Sequence, residues 1–251
     1  MILLAVAMMA VKPQIVMIHG AGGGGWEYAY WKPIFEKAGY RVIAKDLDPV
    51  AGGLEKTTFE DYVNQVVAST SGRPTILLGA SMGGALALKA ADRVQPVLIV
   101  LVSSAVPRPV FTSESAPDYP KIIKWKNGPY EDTVSSMPDA DEATRKFAFP
   151  RWRDESGAVL NELKTSIEVR KPSCPVLSII PEGDDTVKPD LQQQLAYWAG
   201  ADTIRYQNMS HIGPLFSRRR EEVAHAIIAW LDSRISSAKP PHAKGSAAAS
   251  Q

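Results

Sequence analysis

Thr75-Ile76-Leu77-Leu78-Gly79-Ala80-Ser81-Met82-Gly83-Gly84-Ala85-Leu86-Ala87-Leu88-Lys89-Ala90 contains an apolar strand, a Gly-x-Ser-x-Gly turn and a helix of small and aliphatic residues, in that order. The spacing has a steric reason. A strand that turns abruptly into a helix forces its apical residue into a strained backbone conformation. Glycines two residues to either side, at 79 and 83, let the two arms approach. Ser81 is then presented at the tip with its hydroxyl toward solvent. The N–H of Met82, at the helix N-terminus, points toward developing negative charge. The same five-residue pattern also arises in tight turns where the serine is only a cap. The strand before it and the helix after it are the context that a nucleophile requires.

The alternation continues outward in both directions. Apolar runs at 15–19, 41–45, 97–102, 176–180 and 203–206 join 75–80 as strand candidates, and most are continuous rather than alternating. Continuous runs mark strands buried on both faces, as in a parallel sheet covered by helices. Helical segments are expected at 26–38, 59–69, 82–93, 189–198 and 218–235; the last carries a stripe of Val223, Ile227, Ile228 and Leu231. This order predicts a doubly wound α/β fold, a mostly parallel sheet with helices on both faces.

One region breaks the rhythm. Residues 106–171 are rich in proline and hold scattered aromatics, among them Phe111, Tyr119, Trp125, Tyr130, Phe147, Phe149 and Trp152. A long structureless loop inside a compact domain is unusual, so this stretch is expected to be a small helical lid inserted after the fourth strand. The core is then residues 1–105 and 172–236. The small, polar, proline-bearing residues 237–251 are expected to form a disordered tail. No internal repeat is visible.

Composition narrows the function classes. The chain has 251 residues, enough for one α/β domain with an insertion, and a net charge of +1. That balance gives no reason to expect nucleic acid or an acidic membrane surface as a partner. The basic run Arg218-Arg219-Arg220 is followed at once by Glu221 and Glu222, as on a solvated helix start. Cys174 is the single cysteine, which excludes an internal disulfide and a cysteine-built zinc site; its expected role is packing. The apolar start MILLAVAMMA has no basic residue ahead of it. It is short for export and too short for a bilayer helix, so an extra strand or frayed start, in a cytoplasmic protein, is expected.

The first strand candidate ends in His19-Gly20-Ala21-Gly22-Gly23-Gly24-Gly25-Trp26. A glycine-rich loop after a strand frees backbone N–H groups to face an anion. Two readings compete. Gly20 to Gly25 also fits G-x-G-x-x-G, and Asp46 closes the next strand near where a dinucleotide fold keeps its ribose-binding acid. In the alternative, Ala21 N–H joins Met82 N–H in an oxyanion hole, and His19 shapes the loop.

A serine nucleophile needs a base and an acid. Of four histidines, His242 lies in the tail and His225 in the last helix, while His19 ends the first strand. His211 remains, in a loop between the last strand and the last helix, where an imidazole can take and return a proton. The acid belongs after strand 176–180, in Pro181-Glu182-Gly183-Asp184-Asp185-Thr186-Val187. An aspartate followed at three residues by an aliphatic, near a proline, picks Asp184 with Val187. Asp185 stays open as the alternative. The order Ser81, Asp184, His211 is that of α/β-hydrolases.

Over nearly its whole length the chain resembles the α/β-hydrolase superfamily. Its stretch HGAGGGGWEYAYWKPIFEKAGYRVIAKDLD, residues 19–48, resembles the plant methylesterase and hydroxynitrile lyase group. The resemblance implies a cofactor-free hydrolase acting on small-molecule esters, with Ser81, Asp184 and His211 as triad and Ala21 and Met82 at the oxyanion. Two positions depart from the group. Ala80 stands where histidine is common, and Ile212 stands where hydroxynitrile lyases carry a lysine, which disfavours cyanohydrin cleavage. A lactonase, an amidase, an acyltransferase or a non-catalytic ligand binder would fit the same residues.

Overall fold

The computed structural model describes residues 11–111 and 118–237. The expectations for the apolar start and for residues 238–251 lie outside them. In chain order the elements are β1 (Gln14–Ile18), α1 (Lys32–Lys37), β2 (Val42–Ile43), α2 (Phe59–Ala68), β3 (Thr75–Ala80), α3 (Met82–Val94) and β4 (Leu98–Val102). An inserted segment follows with β5 (Ile122–Ile123), α4 (Tyr130–Ser136), α5 (Glu142–Ala148), β6 (Glu155–Ser156) and α6 (Gly157–Thr165). The chain closes with β7 (Val176–Pro181), α7 (Pro189–Ala199), β8 (Asp202–Tyr206), α8 (Gly213–Phe216) and α9 (Arg220–Ser237).

Among the described residues, six strands form one sheet in the order β2-β1-β3-β4-β7-β8, every pair parallel. The strand period of two explains the continuous apolar runs. In β4, Leu98, Val100 and Val102 face one core, and Ile99 and Leu101 face the other. The first core is closed by α1, α8 and α9 through Phe35, Phe216, Val223, Ile227 and Leu231. The second is closed by α2, α3 and α7 through Tyr62, Val66, Leu86 and Leu195. Both faces of the four central strands, β1, β3, β4 and β7, are therefore buried.

One expected helix is divided. The single helix expected at 26–38 is a short 3-10 turn, Gly25–Tyr28, followed by α1. Pro33 has no N–H to donate, so a helix accepts it in its first turn but not in its interior. Pro214 acts in the same way at the start of α8, a short turn ahead of the helix expected at 218–235, which is α9 from Arg220 to Ser237.

The strand order also positions the functional loops. The chain leaves β1 to one side for β2, then returns to place β3 on the other side of β1. At such a reversal the loops after the two strands lie side by side at their carboxyl ends. Here they are the glycine loop after β1 and the turn at Ser81 after β3. A Cβ on Gly20 would sit 3.2 Å from Cβ of Ser81.

The elbow leaves no room at its glycines. A Cβ on Gly79 would strike the Gly83 carbonyl, and one on Gly83 would strike the carbonyls of Ile18 and His19. Gly83→Ala is expected to lower stability by about 1–3 kcal/mol through overpacking, visible as a reduced urea midpoint at unchanged slope.

Candidate active site

Ser81 stands at the apex between β3 and α3 with φ 52° and ψ −121°. A left-handed conformation in a residue with a side chain persists only where the surroundings fix it. Ser81 N–H donates to the Val102 carbonyl at 2.9 Å, and its own carbonyl accepts from Ala105 and Gly84 N–H at 3.0 Å each. The strain is thus held by β4 and by the first turn of α3.

His211 comes from the loop after β8. Its Nε2 lies 2.9 Å from Ser81 Oγ, and its Nδ1 lies 2.8 Å from Asp184 Oδ2. The loop is fixed by its neighbour Ser210, whose N–H and hydroxyl both donate to the Asp139 carboxylate of the inserted segment, at 2.8 and 2.7 Å.

The structure separates the two aspartates. Asp184 is buried, and Oδ1 accepts N–H bonds from Thr186 at 2.9 Å and Val187 at 2.8 Å. Oδ2 accepts from Gln192 Nε2 at 2.7 Å as well as facing His211. Asp185 is exposed, and its one described hydrogen bond is from the Thr186 hydroxyl. A carboxylate saturated by donors stays in place, which is what orienting an imidazole needs.

The glycine loop is pinned amide by amide. Gly20 N–H donates to Glu27 at 3.0 Å, Gly22 N–H to Glu155 at 3.0 Å, Gly23 N–H to the Gly20 carbonyl at 3.3 Å, and Gly25 N–H to Asp46 at 2.7 Å. Ala21 and Met82 N–H have no such partner among the described residues, and both residues line the cavity. This arrangement overturns the dinucleotide alternative. Glu27, Glu155 and Asp46 occupy the amides that a pyrophosphate would need.

His19 is a structural group. Its Nε2 accepts the Leu47 N–H at 2.8 Å, so the proton lies on Nδ1, which donates to the Gly20 carbonyl at 2.7 Å. That carbonyl shares a peptide plane with Ala21 N–H and points the opposite way in a trans peptide. Pinning it aims Ala21 N–H away from His19. Burial pushes the His19 pKa down to about 4, keeping the ring neutral.

These groups border a cavity of about 870 Å³. Its apolar wall includes Val106, Phe111, Phe149, Trp152, Leu160 and Leu215, and its polar groups include Ser81, Ser103, Asp132 and His211. Of the aromatics in residues 106–171, Tyr119 and Trp125 also line it, while Tyr130 packs edge-on against Phe149. Trp26 is set back against Trp152, Phe147 and Phe216.

Sequence reasoning missed Glu27, Glu155 and Asp139. Glu27 carried a signal: a lone acid in a run of glycines and aromatics. It is buried, and burial raises its pKa from 4.5 to about 7, partly offset by the Gly20 N–H bond. The folded state therefore keeps a proton that the unfolded chain releases. Glu27's stabilising contribution is whole below 4.5 and is lost as pH rises through about 7. His19 runs the other way, its contribution present above 6.5 and lost as pH falls through about 4. Glu27→Gln keeps an acceptor for Gly20 and cannot ionise. Thermal melts are expected to show a smaller drop in Tm between about pH 5 and pH 8 than in the wild type.

Residues 15–226 match the model of the alpha/beta hydrolase family. Salicylic acid-binding protein 2 of Nicotiana tabacum is 38% identical over 77 residues, 28% of this chain and 30% of that protein. Polyneuridine aldehyde esterase of Rauvolfia serpentina is 34% identical over 111 residues, 39% of this chain and 41% of that protein. The matched stretches thus span less than half the length of these curated relatives. The crystal structure of a pyrethroid hydrolase from Sphingobium faniae superposes with a TM-score of 0.68 at 23% identity, covering 89% of this chain and 99% of that one. With the family match spanning both the glycine loop and His211, the chain belongs to the alpha/beta hydrolase family.

Proposed function

We propose that the protein is a carboxylic-ester hydrolase working through an acyl-enzyme on Ser81. The observation that carries this reading is the unbroken hydrogen-bonded chain Ser81–His211–Asp184 opening onto a largely apolar cavity. The esterases among its relatives, matched over part of their length, favour ester over other acyl substrates.

In the attack, His211 Nε2 takes the Ser81 proton while Oγ forms a bond to the acyl carbon. The carbonyl π-pair moves to oxygen, where Ala21 and Met82 N–H receive the charge. Asp184 holds Nδ1–H and offsets the imidazolium. Collapse breaks the ester C–O bond, and His211 gives its proton to the departing alcohol. Water then enters by the same route, its proton going to His211 and its oxygen to the acyl carbon. Release of the carboxylic acid restores Ser81.

Ser81→Ala is expected to lower kcat on a chromogenic short-chain ester by a factor on the order of 10⁶. The same variant is expected to lose labelling by a fluorophosphonate probe. Asp184→Asn is expected to lower kcat on the order of 10⁴-fold, while Asp185→Asn, lacking a bond to His211, stays near wild type. Full turnover by Ser81→Ala would overturn the assignment.

A further inference from the structure

Gly22 is gripped by the inserted segment at both of its polar backbone groups. Its N–H donates to Glu155 Oε2 at 3.0 Å, across 133 residues of sequence. Its carbonyl accepts the Arg153 N–H at 2.8 Å. Its φ is +68°, and the Trp125 ring occupies the space that a Cβ would need. Glu155 is itself buried and held, for Oε1 accepts the Tyr62 hydroxyl at 2.9 Å and the Ser156 N–H at 2.7 Å.

The peptide plane before Ala21 is fixed by His19, through the Gly20 carbonyl. The plane after Ala21 is the one that Glu155 fixes. The Ala21 N–H lies in the first plane, and holding the second plane as well stops Ala21 from rotating about φ and ψ, so that its N–H is restrained from both sides. A carboxylate is suited to this because it accepts several donors at once, and its charge shortens and strengthens each bond. We propose that Glu155 is a positioning residue that aims the Ala21 N–H at the oxyanion from within the inserted segment. It touches no reacting atom. Its effect is on the stabilisation of the transition state, not on ground-state binding.

Glu155→Gln is the direct test. An amide has one acceptor oxygen, so it can serve Gly22 or the Tyr62 and Ser156 side, but not both. The proposal rests on the ester-hydrolysis reading above and expects kcat to fall about 10–100-fold with KM within about threefold. Affinity for a trifluoromethyl ketone, whose carbonyl carbon bonds Ser81 Oγ and whose oxygen becomes the oxyanion, should fall by the same factor. Tyr62→Phe removes a partner of the same carboxylate on the side away from the loop. It should lower Tm and leave kcat within about twofold. Amide hydrogen exchange of residues 19–25 should quicken in Glu155→Gln only.

Wild-type kcat and ketone affinity in Glu155→Gln would overturn the proposal, as would losses in both variants that simply follow Tm. If Glu155→Gln does not fold, Glu155→Asp, which keeps the charge but withdraws it by one methylene, is measured in its place with the same criteria. If the wild type hydrolyses no ester, the exchange measurement decides. Faster exchange in the variant supports the positioning role while the ester reading falls, and unchanged exchange overturns it.

Discussion

The left-handed backbone at Ser81 is the constraint on which the site depends. A serine there is costly unless its neighbours leave it no alternative. They do so by pressing β3 against α3 at Gly79 and Gly83, and by tying both backbone groups of Ser81 to the end of β4 and the segment beyond it. The same strain turns Oγ out of the sheet and toward His211. It also leaves Met82 N–H at the free end of α3. The positions of Ser81 Oγ and of the Met82 N–H are two results of one turn.

Negative charge is placed around the site with care for distance. Asp184 stands directly behind His211, where the proposed mechanism needs a carboxylate to assist the proton transfer. Glu27 and Glu155 stand at the glycine loop, where an uncompensated charge would oppose the developing oxyanion. Glu27 meets this by holding a proton up to about pH 7, and Glu155 by accepting three donors. The loop gains rigid acceptors at a limited electrostatic cost.

Legibility of the site followed locality. The strands, the elbow and the glycine loop are each encoded in fewer than about ten successive residues, where periodicity and glycine placement speak directly. Thr75–Ala80 was recoverable residue for residue. Chain order narrowed the base to His211, but two adjacent aspartates remained open until the fold buried one and exposed the other. Glu155 and Asp139 had no local pattern at all, because their partners lie 133 and 71 residues away. The split of helix 26–38 follows from Pro33, which a helix accepts only in its first turn.

The inserted segment grips the site at two places, Gly22 through Glu155 and Arg153, and Ser210 through Asp139. Insertions of this kind are often treated as exchangeable parts that select the substrate while the core supplies the chemistry. Here the division is not clean. A graft that replaced residues 106–171 to change the acyl or alcohol accepted would also remove the anchors of the glycine loop and of the loop bearing His211. Modularity in this protein has a boundary condition: three groups of the insertion, the Glu155 and Asp139 carboxylates and the Arg153 amide, hold the core's loops in place.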